Sequence, residues 1–91
     1  MKVYIAGCTD TVGDAGHNRE LSLRRARAIA SWLRGHGYSQ PIYYYGYGES
    51  FLAVRTGDGV DEARNRRVLY MVASNPPPSS SGVPAAQWRE L

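Results

Sequence analysis

The chain has 91 residues and a mass of 10.1 kDa, room for one domain at most, and 43% hydrophobic with 21% charged residues excludes a wholly disordered chain. Cys8 is the only cysteine, so no internal disulfide supports the small core, and no apolar run approaches the length of a membrane span. The net charge of +3 rests on ten arginines and a single lysine. Guanidinium forks match carboxylates and phosphates, so an anionic partner is expected; nucleic acid, anionic lipid and a carboxylate-bearing polymer suit this balance equally.

Val3–Gly7 is short, β-branched and aromatic and predicts a strand. Its end, Ile5-Ala6-Gly7-Cys8, resembles a lipoprotein cleavage box, but the apolar stretch before it is too short for a signal peptide. A loop with turn residues Thr9, Asp10, Gly13 and Asp14 follows. Asn18 is placed as N-cap of a helix over Arg19–Arg34, whose apolar face is Leu23, Ala26, Ala30 and Leu33, and Gly35-His36-Gly37 ends it. Ile42–Tyr47 reads as a second strand parallel to the first, joined to it by the helix in a βαβ unit. Phe51–Val54 is an apolar patch docking on the core, Asp61–Asn65 a short helical turn, and Val68–Val72 a last strand. The fold class expected is α/β (α+β): a two-layer sandwich with a βαβ unit, a further strand, and helices on one face of a mixed sheet. Residues 1–73 form the domain; residues 74–91, opening with Pro76-Pro77-Pro78 and three serines, read as a disordered Pro/Ser-rich tail.

The inventory for catalysis is thin. His17 and His36 lack metal-ligand spacing, and a Cys8–His17 nucleophile would lack an orienting third group, so neither an enzyme nor a metal or other cofactor is expected. Gly46-Tyr47-Gly48 lacks the third glycine or lysine of a phosphate cradle. Tyr43–Tyr47 could stack bases, but alternate strand residues face opposite sides, which favours structural tyrosines. The most informative geometry is helical: at about 100° per residue, Asn18, Ser22, Arg25 and Ile29 form a stripe beside the apolar face. Arg25 therefore belongs at the seam between helix and sheet, near the loop bearing Asp10. That pair is either a receptor for a zwitterion, with Asp10 for an ammonium and Arg25 for a carboxylate, or an internal ion pair; spacing leaves both open.

Four segments in order then resemble one family. Thr9-Asp10-Thr11-Val12-Gly13, Asn18-Arg19-Glu20-Leu21-Ser22-Leu23-Arg24-Arg25-Ala26, Gly46-Tyr47-Gly48-Glu49-Ser50 and Asn65-Arg66-Arg67-Val68 are similar to the motifs of the C-terminal, peptidoglycan-binding domain of OmpA-like proteins. The resemblance implies non-covalent binding of the diaminopimelate residue of the peptidoglycan stem, anchoring a larger protein or the outer membrane to the cell wall. It carries the principal contacts to Asp10 and Arg25 and supporting ones to Thr9, Asn18 and Arg66, with Arg67 facing the other way. It also implies a periplasmic or outer-membrane-associated location, peptidoglycan as partner, and no nucleic acid. Family members carry a strand and a long helix ahead of the segment matched here, so the expectation is a fragment, a misplaced start, or a chain that self-associates as a homo-oligomer to cover the exposed layer. The outer membrane would be reached only through upstream sequence. The alternative is a degenerate OmpA-like scaffold serving protein assembly in a motility or secretion complex without cell-wall binding.

Overall fold

The computed structural model describes residues 1–78 and 81–91; Ser79 and Ser80, within the segment read as tail, lie outside the described residues. Strand β1 is Lys2–Cys8, helix α1 Ala15–Gly35, strand β2 Ile42–Gly48, a 3-10 turn spans Ala63–Asn65, strand β3 is Val68–Ala73, and strand β4 is Arg89–Glu90. The sheet order is β3-β1-β2-β4, with β1 parallel to β2 and the β1–β3 and β2–β4 pairs antiparallel. A helix crossing between two parallel strands and one added antiparallel strand make the α+β two-layer sandwich expected, with one long helix on the sheet.

Strand alternation sorts the side chains. Val3 and Ile5 on β1 and Ile42 and Tyr44 on β2 meet Ala26 and Ala30 of α1, flanked by Leu23, Leu33, Tyr38, Val68 and Leu91. The intervening residues face away from the helix, where Ala6, Cys8 and Tyr47 form a second cluster with Tyr45, Phe51, Leu69, Val83, Ala86 and Trp88. Small residues decide how close the helix comes. A Cβ at Gly7 would lie 2.2 Å from the Ser22 carbonyl oxygen, and one at Gly46 would lie 2.4 Å from the Leu23 amide nitrogen. Helix backbone therefore rests directly on sheet backbone, and Ser22 locks the contact: its Oγ accepts from Gly48 N at 2.9 Å and donates to Arg19 O at 2.8 Å. Gly46 and Gly48 thus serve helix packing.

Two expectations need correction. The helix begins one turn earlier than Asn18: Asp14 is the N-cap, its carboxylate accepting from His17 N at 2.8 Å. The glycine at Gly16 hides this start, because glycine weakens a helix, and the Asp14 cap offsets it. The described end of the segment read as tail is also placed on the sheet. Leu91 N donates to Ile42 O at 2.9 Å beside the β4 pairing, and Trp88 packs edge-on to Tyr4 with ring centroids 5.3 Å apart. Its Pro/Ser composition pointed to disorder, but the apolar surface of Trp88 and Leu91 finds the open sheet face and the β2 edge.

The tyrosines are structural, with Tyr44 under the helix and Tyr43, Tyr45 and Tyr47 on the opposite face, where Tyr43 stacks on Tyr4 and Tyr45 and Tyr47 meet Trp88. Phe51 docks on Tyr47 as its apolar patch predicts, and Arg67, turned to this same face, places its guanidinium 4.8 Å from the Phe51 ring centroid. At the other border β3 pairs only with β1 among the described residues, and Tyr70 and Val72 stand exposed beside that outer edge.

Candidate functional site

The parallel strands end at Cys8 and Gly48, and the chain leaving β1 passes over the start of α1. Buried polar residues concentrate there: Thr9, Asp10, Thr11, Asn18, Ser22 and Asn65. Each is held by a backbone partner, which is what makes burial of a polar group tolerable. Thr9 Oγ1 donates to Asp10 O at 2.9 Å, and Asn18 Nδ2 donates to Val12 O at 2.8 Å. Thr11 Oγ1 donates to Gly57 O at 2.7 Å and accepts from Val60 N at 3.0 Å, tying this loop to the one before the 3-10 turn. Asn65 closes that second loop in peptide-like fashion, donating to Val54 O at 2.9 Å and accepting from Val54 N at 2.8 Å. Two loops without regular structure are thereby fixed relative to each other and to the helix.

Between them lies an open pocket of about 360 Å³ lined by Thr9, Asp10, Val12, His17, Asn18, Leu21, Arg25, Asp61 and Arg66. All five residues singled out on sequence border it. They do not play equal parts. Asp10 is fixed: Oδ1 accepts from Val12 N at 3.1 Å, and Oδ2 accepts from Glu62 N at 3.4 Å and from the Arg66 guanidinium. The Arg66 hydrogen bond, assisted by the Val12 and Glu62 amides, outweighs burial and holds the Asp10 carboxyl below the usual carboxylate range. Arg66 also donates to Asp61. The internal partner of Asp10 is therefore Arg66, and the Asp10–Arg25 ion pair left open by helix geometry does not form. Arg25 is exposed and makes no ion pair among the described residues.

Asp61, His17, Val12 and Leu21 are wall residues that sequence reasoning passed over. Asp61 precedes the 3-10 turn and reaches the pocket only because the Thr11 hydrogen bonds fold its loop against the first, a long-range placement with no local signal. Leu21 follows the helical period, three residues after Asn18 and four before Arg25, and was legible in it. Cys8, by contrast, packs with Ala6 and Tyr47 on the far face while His17 lines the pocket, so no thiol–imidazole pair exists; burial pushes the Cys8 thiol up despite Arg67 nearby. Among the described residues no group of three or more His, Cys, Asp or Glu converges as a metal site would require, and no helix is long and apolar enough to cross a membrane.

Fold and pocket together define a small α+β module with an open, charge-lined pocket at the end of its parallel strands. Comparison with protein families matches the OmpA family over residues 1–66, and the chain belongs to that family. It is 36% identical over 72 residues to the outer-membrane lipoprotein YfiB of Pseudomonas aeruginosa, an alignment covering 78% of this chain and 43% of that protein. It is 39% identical over 71 residues to the peptidoglycan-associated lipoprotein of Legionella pneumophila, covering 77% of this chain and 40% of the relative. The chain thus spans about two fifths of the length of these curated relatives. No solved structure matches it significantly.

Proposed function

We propose that this module binds peptidoglycan non-covalently, by taking the zwitterionic end of the diaminopimelate residue of the stem peptide into the pocket of Asp10 and Arg25, and that it thereby holds a larger envelope protein or the outer membrane to the cell wall. The carrying observation is the pairing of unlike charges in one small open pocket: the Asp10 carboxylate fixed by the loops, and Arg25, presented by the helix without an ion-pair partner among the described residues. A guanidinium already spent on an internal pair would give up that pair to bind a carboxylate; Arg25 has none to give up. The family membership and the envelope-lipoprotein relatives support the same reading, including a periplasmic or outer-membrane-associated location.

In this reading Thr9 and Asn18 shape the wall through their backbone hydrogen bonds, and Arg66 holds the Asp10 carboxylate. The test is a calorimetric or NMR titration with soluble diaminopimelate-containing muropeptide, repeated with Arg25→Ala and Asp10→Ala and with a lysine-type muropeptide. Arg25 is exposed, so Arg25→Ala leaves the fold intact while weakening binding by about tenfold or more, the scale of a lost charge-assisted hydrogen bond. Asp10→Ala loses binding together with loop order, visible as shifted Val12 and Glu62 amide resonances. The lysine-type peptide, lacking the second carboxylate, binds more weakly than the diaminopimelate one. A wild-type chain that binds neither muropeptide would instead support the scaffold role in protein assembly.

A further inference from the structure

The charges of the pocket do not divide simply into one anion and one cation. Arg66 stands between two carboxylates, donating to Oδ2 of Asp10 and Oδ1 of Asp61. Asp10 and Arg66 alone form a neutral pair, so the charge that Asp10 offers an ammonium is partly offset unless a second carboxylate joins it. The Asp10 side chain is only 9% exposed, and its oxygens are already engaged by two backbone amides and the guanidinium. The Asp61 side chain is 79% exposed and stands on the rim of the same pocket. With Asp61 included, the cluster of Asp10, Arg66 and Asp61 carries one net negative charge, in the same pocket as the positive charge of Arg25. The sum over the four groups is then zero, the complement of a guest that is itself a zwitterion. Asp61 is the member that makes it so.

We infer that Asp61 is a ligand-binding residue: it receives the ammonium of the amino-acid end group at the pocket rim and gives the site its preference for a free amine over an acylated one. The inference rests on the reading of the pocket as a peptidoglycan-stem site and adds to it the residue that discriminates the state of the amine. Asp10 is the inner carboxylate that fixes Arg66, and the Arg66 side chain joins the two carboxylates into one site. Asp61 is the carboxylate that an incoming ammonium can reach with lone pairs still free, because the Asp10 oxygens are already engaged.

The test pairs two ligands with two variants. Muropeptides with the diaminopimelate side-chain amine free or N-acetylated are titrated against wild type, Asp61→Asn and Asp61→Glu. Asparagine keeps the size of the side chain and leaves the Asp10–Arg66 pair in place. The expected result is a several-fold preference of wild type for the free amine, its near-disappearance in Asp61→Asn through a loss confined to the free-amine ligand, and its return in Asp61→Glu. Equal weakening toward both ligands in Asp61→Asn would make Asp61 a mere support of Arg66 and overturn the inference, as would unchanged binding and preference. Failure of wild type to bind either muropeptide would remove the peptidoglycan reading itself, and Asp61's role with it, a result distinguishable from the first two because it appears before any substitution is made.

Discussion

The two faces of the sheet are built on opposite plans. On the helix face, Gly7, Gly46 and Gly48 bring backbone onto backbone, with Ser22 bridging strand and helix. On the other face, Tyr4, Tyr43, Tyr45, Tyr47, Phe51 and Trp88 interlock as large aromatic surfaces under the C-terminal segment. The first plan fixes position, since a carbonyl or amide cannot be pushed aside as a side-chain end can. The second plan contributes burial, and an aromatic cover can lose one ring and relax around the gap. The pocket draws most of its walls from the loop leaving β1 and the first turns of α1, so it depends on the face that fixes position.

The largest expected effect breaks that face. Gly46→Ala places a methyl carbon 2.4 Å from the Leu23 amide nitrogen, so the helix must lift or the strand must bend. Overpacking against a rigid backbone costs about 3 kcal/mol or more, enough to unfold much of so small a domain, and amide dispersion in a proton–nitrogen spectrum is expected to collapse. Trp88→Ala on the opposite face is expected to cost about 2 kcal/mol in urea denaturation, as partial loss of a large aromatic does, with muropeptide binding unchanged. Equal losses of binding in the two variants would erase the distinction between the faces.

Acid sharpens the comparison at the pocket. The folded-state pKa of Asp10 is depressed, first by its hydrogen bond from Arg66, so the stability it contributes is present above the ordinary carboxylate value of about 4 and is lost as pH falls through the lower folded value. The denaturation midpoint is therefore expected to fall below about pH 4, and Asp10→Asn to be less stable than wild type near neutrality with a shallower acid dependence. An unchanged acid slope in that variant would mean Asp10 and Arg66 are not paired in solution. On the far face, the buried Cys8 thiol, pushed up by desolvation, is expected to react with a thiol reagent near pH 8 far more slowly in the native chain than in denaturant.

The smallest expected effect concerns the outer edge of β3, the place where a second copy would add a strand. Val72→Lys is expected to shift stability by less than about 0.5 kcal/mol while reducing any concentration-dependent rise in mass measured by light scattering. A chain whose mass stays that of a monomer at every concentration would sink the self-association reading.

Much of this was legible because its signals are local. Strand alternation in β1 and β2, the helical period of Leu23, Ala26, Ala30 and Leu33, and the glycine stop after Arg34 are properties of neighbouring residues, and they also put Asp10 and Arg25 on adjacent edges. What escaped was a local cap that outweighs an unfavourable residue, and contacts with partners distant along the chain. The true helix start needed the Asp14 cap to outweigh Gly16. The placement of Trp88 and Leu91 needed a vacant face and edge for their apolar surface, against a composition that reads as disorder.

The sequence by itself determined the layers, the family and the placing of Asp10 and Arg25 on adjacent edges, because period and motif order are written in adjacent residues. Only the tertiary structure decided which arginine Asp10 would keep. Arg66, brought across from fifty-six positions away by the hydrogen bonds of Thr11 and Asn65, takes the Asp10 carboxylate and leaves Arg25 without an ion pair among the described residues, and the same loop closure delivers Asp61 to the rim. An ion pair forms with whichever cation is held nearest in space, and separation along the chain does not fix that distance.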